Sequence, residues 1–272
     1  MSGPSDAEHP STSGIITLLT DFGLHGSYVA AMKGVILSIN PRAVLVDVTH
    51  AIRGQDIRHG AWILEEASPW FPSGTIHVAV VDPEVGGRRK LIYARIGRQH
   101  YLAPDNGLLG RLALANRPSK IISLEDPQYW LPKVSATFHG RDILAAVAAR
   151  LSLGTEPDCL GPRQDELVQL AWPEVRILPG EIEGSVRSID SFGNLVTDIS
   201  EQMLRDVPRG ESVRITCDEH ETLGIFRTYG DQPEMTLMAL VGSGGYLELA
   251  IVGDSAAGML GVGPGAAVRV TW

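Results

Sequence analysis

Apolar residues in the first part of the chain fall into two alternating patterns. Short unbroken runs, "GIITLLT" (14–20), "AVLVDVT" (43–49) and "TIHVAVVD" (75–82), predict strands, and the first suits a buried parallel strand. Between the first two, Tyr28, Ala31, Met32, Val35, Ile36 and Ile39 recur at helical spacing and form one face. Ile57, Ala61 and Leu64 mark a second helix, which Pro69 and Pro72 terminate. "KLIYARI" and "QHYLA" predict two more strands, a helix follows "PDNG", "KIISL" predicts a further strand, and "GRDILAAVAARL" a further helix. Strands alternating with helices predict a mostly parallel sheet with helices on both faces.

The pattern changes where prolines cluster in "LAWPEVRILPGE" (170–181). Beyond it, Val213, Ile215 and Cys217 alternate with Arg214 and Thr216. Leu247, Leu249 and Ile251 alternate with Tyr246, Glu248 and Ala250, and Val268, Val270 and Trp272 with Arg269 and Thr271. This period of two predicts half-buried antiparallel strands. The fold class expected is α/β: an N-terminal domain over 14–172, a linker over 173–180, and a smaller antiparallel β-barrel over 181–272. Residues 1–13 read as a polar tail, with no cationic start and apolar core of the signal-peptide kind.

Composition narrows the class. The net charge of -9, with no basic stripe, argues against nucleic acid as partner. No apolar run reaches the roughly 20 residues that span a bilayer. Cys159 and Cys217 lie far apart, without C-x-x-C or zinc-ligand spacing, which suits a reducing cytoplasm.

Ligands of parallel sheets bind beyond the carboxyl ends of the strands. Asp21, Asp47 with His50, and Asp82 with Arg88 and Arg89 stand there; Asp105 and Asn106 follow an edge segment, and His139 precedes a helix. Each has a plainer reading. Asp21 serves equally as a helix cap, His50 and His139 as structural histidines, and Asp82 with Arg89 as a salt bridge pinning a turn. "GLHG" lacks the full dinucleotide fingerprint, and no P-loop is present. Asp21, Asp47, His50 and Asp82 could be imagined as a metal set, but no metal-binding spacing supports it.

Motifs decide more than spacing. "TDFG" with "YVAAMKGVI", then "VDVTH", "FPSGTIHVAVVDPEVGGRR", "YLAPDNGLL", "FHGRD", "DSFGNLVTDI" and "YLELAIVGDSAA" occur in this order. Together they resemble the S-adenosyl-L-methionine (SAM) hydroxide adenosyltransferase family, relatives of the fluorinase and chlorinase, from about residue 14 to 272. The resemblance implies metal-independent, cofactor-free attack of water or hydroxide at the ribose C5′ of SAM, giving adenosine and L-methionine. It also implies a homotrimer with active sites at subunit interfaces.

The family's Asp, Arg and His triad maps onto Asp82, Arg89 and His139, with Arg88 the neighbouring guanidinium. Asp21 corresponds to the carboxylate for the ribose hydroxyls, Asp190 to that for the methionine ammonium, Phe192 to an apolar wall and Asn194 to an adenine reader. Ser243 and Glu248 are placed towards the methionine end, and Asn106 lines the pocket. A water held by Asp82 and His139, with Arg89 fixing the carboxylate, suits the chemistry, since a sulfonium leaves without protonation. Which of the two takes the proton stays open at this level.

Three features separate the chain from the halogenating relatives. The fluorinase has tyrosine and threonine where this chain has Asp82 and Val85, a halide-binding serine at Gly140, and a long insertion where "LIYARIGRQHYLAPDNG" is short. Two departures from the hydrolytic pattern stand out: Glu84 replaces a glycine in "VDPEVGG", and Gly26 and Ser27 replace an acidic residue. A SAM- or adenosine-binding sensor without turnover is the alternative reading; a metal-dependent nucleotide hydrolase is a third.

Overall fold

The computed structural model describes residues 12 to 272. Contacts divide the chain into two compact units, the division falling between Leu170 and Ala171.

The first unit holds a six-stranded sheet: β1 (Ile15–Thr20), β2 (Val44–Thr49), β3 (Ile76–Val80), β4 (Leu91–Ile96), β5 (Gln99–Pro104) and β6 (Lys120–Ser123), ordered β2-β1-β3-β5-β4-β6. The β1–β2, β1–β3 and β3–β5 pairs are parallel, and β4 alone is reversed. That reversal comes from the two residues Gly97 and Arg98, with φ +58° at the glycine, which join β4 to β5 as a tight hairpin. β4 is not the neighbour of β3, so residues 81–90 step across the end of β5.

Helices α1 (Tyr28–Ile39), α2 (Ile57–Ala67), α3 (Gly110–Ala115) and α4 (Ala146–Ser152) complete the unit. Met32 and Ile36 of α1 and Leu144 and Val147 share one core with Ile16, Leu18, Val78 and Val80. Tyr28, the first residue of the apolar stripe, is instead 53% exposed. On the other face Gly60 of α2 lies so close to Leu19, Val81 and Leu108 that a Cβ there would stand 2.9 Å from Leu108 Cδ1. The helix predicted over "GRDILAAVAARL" opens as a π-turn at Gly140–Ala145 before becoming α4, a distortion that recurs at functional sites.

The second unit contains β7 (Arg176–Leu178), β8 (Glu181–Ile189), β9 (Leu195–Ser200), β10 (Arg214–Cys217), β11 (His220–Leu223), β12 (Ile225–Phe226), β13 (Leu237–Val241), β14 (Tyr246–Ile251), β15 (Ala267–Thr271) and helix α5 (Ala256–Leu260). β7 lies within the stretch read as a linker and pairs with β8. The remaining order is β11-β10-β15-β8-β9-β14-β13-β12, antiparallel except for β12–β13. The sheet nearly closes, and Thr222 Oγ1 donates to the Leu237 carbonyl at 2.8 Å across the seam.

Alternation holds on β10 and β15, where Ile215, Cys217, Val268 and Val270 are buried and Arg214 and Arg269 exposed. It fails on β14. Glu248 and Ala250, expected on a solvent face, are buried, because Met238, Leu240 and Ala250 with Phe226 and Val252 form a second apolar layer there. Trp272, expected inside, is 40% exposed at the chain end. Cys159 is exposed, Cys217 is buried, and both are free thiols. Among the described residues no helix is long and apolar enough to cross a membrane.

Candidate active site

β3, buried along its whole length, delivers Asp82 at the carboxyl edge of the first sheet. The chain then turns: Val85 N donates to the Asp82 carbonyl at 3.3 Å and Gly87 N to the Glu84 carbonyl at 2.9 Å. Gly86 has φ +78°, and a Cβ on it would stand 2.4 Å from the Ala136 carbonyl oxygen. Only glycine meets both demands. Glu84, the departure noted in this motif, is not among the residues of positive φ, so its side chain is accommodated.

This turn brings Arg89 back onto Asp82. Nε donates to Oδ1 and Oδ2 at 3.0 Å each, and one terminal nitrogen to Oδ2 at 2.6 Å. The two side chains are 5% and 6% exposed, whereas Arg88 points to solvent. The same terminal nitrogen lies 2.8 Å from Nδ1 of His139. A guanidinium only donates, so Nδ1 accepts and a neutral ring carries its proton on Nε2. Burial, and then the positive Arg89, hold the His139 pKa below its ordinary value, against the opposing pull of Asp82 and Asp142.

Aromatic rings flank the cluster. Phe138 packs edge-on against Phe22 and Tyr28, with ring centroids 5.7 and 5.2 Å away, and the Arg141 guanidinium lies 4.7 Å from the Phe138 centroid. Gly140 is packed tightly: a Cβ would meet Val80 Cγ1 at 3.3 Å and Met32 Sδ at 3.6 Å. Asp21 is no cap for α1, whose N-cap position is Ser27. One of its oxygens accepts from Gln55 N at 2.9 Å, and Gln55 adopts φ +65° to reach it. Asn106 is buried, and its Nδ2 donates to the Val81 carbonyl at 2.8 Å, tying the end of β5 to that of β3.

The imagined metal set is not assembled. Asp47 pairs with Lys33 at 2.6 Å and with His50 Nε2 at 3.0 Å, while His50 Nδ1 is 2.9 Å from Thr20 Oγ1. Among the described residues no three His, Cys, Asp or Glu side chains are grouped to hold a metal ion.

The second unit contributes a cavity of about 880 Å³. Asp190, Phe192, Asn194, Ser243 and Glu248, all singled out from the sequence, line it together. Asp190 organises the "DSFGN" turn: Oδ1 accepts from the backbone N–H groups of Phe192 and Asn194 at 2.9 and 2.8 Å, and Oδ2 from Asn194 Nδ2 at 2.9 Å. Phe192 is 78% exposed at the cavity. Asp254 and Ser255 also line it, from the quoted "YLELAIVGDSAA". Sequence reasoning missed Tyr229, whose hydroxyl donates to Glu248 at 3.0 Å. The signal available was the capping box around it, Thr228 with Asp231.

These two sites occur in a chain that matches the SAM hydroxide adenosyltransferase N-terminal domain over residues 16–161 and the C-terminal domain over 184–269. The chain belongs to this family. An (R)-S-adenosyl-L-methionine hydrolase of Salinispora arenicola is 38% identical over 259 residues, covering 94% of this chain and 97% of the relative. A fluorinase of Actinopolyspora mzabensis is 27% identical over 289 residues, covering 94% and 97%. In three dimensions this member of the family is similar to a conserved, uncharacterised Thermotoga maritima protein, with a TM-score of 0.90 and 32% identity over 94% of this chain and 100% of that one.

Proposed function

We propose that this chain hydrolyses SAM to adenosine and L-methionine through attack of water on the ribose C5′. The observation that carries the reading is the buried Arg89–Asp82 ion pair beyond β3, whose guanidinium also bonds His139, in a member of this family. The sulfonium is a competent leaving group, so the protein's task is to place and activate one oxygen. His139, neutral with Nε2–H as its free donor, orients that water. Asp82 accepts its proton. The O–C5′ bond forms as the C5′–S bond breaks, and the electron pair leaves with sulfur as the methionine thioether. Arg89 keeps the carboxylate aligned and supplies fixed positive charge beside it.

The ribose hydroxyls fall to Asp21, which keeps one oxygen clear of Gln55 and has acceptor capacity for a diol. Asn106 holds the floor of that pocket rather than reading the ligand, since its amide is engaged with Val81. The C-terminal cavity takes the rest of the substrate, with Phe192 against the adenine face and Asn194 on its edge. Ser243 lies at the amino-acid end. We place the active assembly as a homotrimer, with sites completed between subunits, in the cytoplasm, where the exposed thiol of Cys159 stays reduced.

Purified protein incubated with each sulfonium epimer of SAM tests the reading. Adenosine and methionine in equal amounts from the (R) epimer, undiminished by EDTA and without halogenated nucleoside when fluoride or chloride is added, are expected. SAM bound without turnover would replace hydrolysis by sensing, and dependence on a divalent ion would overturn the metal-independent mechanism.

A further inference from the structure

Beside the triad, and unused by it, stands a further charged group. Among the described residues Asp142 is the only acidic residue with no exposure. It lies three residues after His139, in the π-turn Gly140–Ala145, and its charge acts on the His139 ring together with those of Arg89 and Asp82. Burying a carboxylate is costly unless its oxygens are engaged. Here both are: Arg141 Nε donates to Oδ1 at 2.5 Å, and Oδ2 accepts from a terminal nitrogen of Arg141 at 3.0 Å and from Ser135 N at 2.8 Å. The guanidinium that neutralises the carboxylate lies over the Phe138 ring.

The bond from Ser135 reaches back into residues 131–138, a segment with neither helix nor strand. Such a segment must find partners for its backbone groups outside regular structure. Asp142 answers two of them: its side chain takes Ser135 N, and its carbonyl takes Leu131 N at 2.8 Å. Tethered in this way, the segment sets the Ala136 carbonyl oxygen 2.4 Å from where a Cβ on Gly86 would stand. Gly86 is the bend of the turn that returns Arg89 to Asp82. One side chain thus bears on both partners of the 2.8 Å contact between Arg89 and His139: on His139 through the turn they share, and on Arg89 through Ala136 and Gly86.

We propose that Asp142 is a positioning residue for the hydrolysis: its buried carboxylate clamps residues 131–138 against the Arg89 turn and so sets the contact between Arg89 and His139. It acts through those two residues rather than on the substrate. Its kinetic consequence rests on the hydrolase reading, and its structural consequence does not.

Asp142→Ala and Asp142→Asn separate the parts of this role, since asparagine keeps an oxygen for Ser135 N and loses the charge. On the full chain, kcat is expressed per SAM-binding site counted by calorimetry, so that a loss of folded protein does not register. Asp142→Ala is expected to lower kcat by about 10- to 100-fold, the size that a displacement of about 1 Å produces, with the Kd for SAM within about threefold. Asp142→Asn is expected to recover most of that loss. It is also expected to move the acid limb of kcat/KM to lower pH, because one carboxylate facing His139 is neutralised while Arg89 and Asp82 remain. Without substrate, amide hydrogen exchange is expected to quicken in Asp142→Ala over both 131–138 and 84–89, with β1 still protected. If the alanine variant does not fold, the limb shift in Asp142→Asn carries the test. Unchanged kcat in Asp142→Ala, equal losses in the two variants, an unmoved limb in Asp142→Asn, or faster exchange confined to 131–138 would overturn the assignment and leave the hydrolase reading intact. Wild type that binds SAM without turnover would remove that reading, and the exchange comparison would still decide whether Asp142 holds the turn.

Discussion

The Arg89 guanidinium donates to Nδ1 of His139 across 2.8 Å, and this contact sets what the imidazole can do. In the proposed mechanism a ring that accepts on Nδ1 presents Nε2–H outward, so it orients a water as a donor and leaves proton acceptance to Asp82.

The two adjacent arginines are therefore expected to differ sharply. Arg89→Ala leaves the buried Asp82 carboxylate unpaired, which costs about 3–5 kcal/mol in stability, and it abolishes adenosine formation. Arg88→Ala, at an exposed position, stays within about 0.5 kcal/mol of wild type. Urea unfolding with product chromatography checks both, and the reverse ranking would shift the site by one residue.

Activity is expected to persist below the ordinary histidine range. The depressed His139 pKa keeps the ring neutral as pH falls past 6.5, and the acid limb appears only when protonation removes the Nδ1 acceptor and sets His139 against Arg89. The pH profile of kcat/KM measures this. A limb at or above pH 6.5 would contradict it.

Folding stability has its own acid window. His77, buried against Tyr101, has its pKa lowered to about 3, first by burial and then by His100. The unfolded state binds the extra proton below the ordinary histidine value of 6.5. Stability from keeping this ring neutral is thus fully present above that value and is lost as pH falls towards 3, by at most ~1.4 kcal/mol per pH unit. His77→Phe is expected to flatten this part of the stability profile, read by denaturant midpoints at successive pH values.

Gly86→Ala is expected to destabilise the chain by more than about 1 kcal/mol, because it adds a side chain at positive φ and against a carbonyl. It also lowers kcat by moving Arg89. Gly97→Ala meets the same strain at φ +58° with nothing within 4 Å, so it is expected to cost stability without touching kcat.

Much of this was legible in the chain. β1 and β3 declared themselves as unbroken apolar runs because both faces of a central parallel strand are covered. The five cavity residues of the second unit were found through motif resemblance; their spacing alone would not have grouped Asp190 with Glu248, which meet only through the fold of the sheet. Glu248 looked solvent-facing because alternation presumes one wet face, and the Met238, Leu240 and Ala250 layer removes it. Tyr229 carries no helix or strand period of its own, sitting in the three-residue turn Tyr229–Asp231. The π-turn after His139 was likewise hidden, since "GRDILA" reads equally well as an ordinary helix.

The passage of residues 81–90 over the end of β5 has a mechanical meaning. β3 and β4 are two strand spacings apart, about 10 Å, whereas a ten-residue segment can reach about 33 Å. The surplus contour length is slack that the sheet does not use, and it is coiled into the hook that returns Arg89 to Asp82. Strand pairing therefore places little constraint on this segment, and shortening it would leave the sheet's register free to form while taking away the slack from which the hook is made.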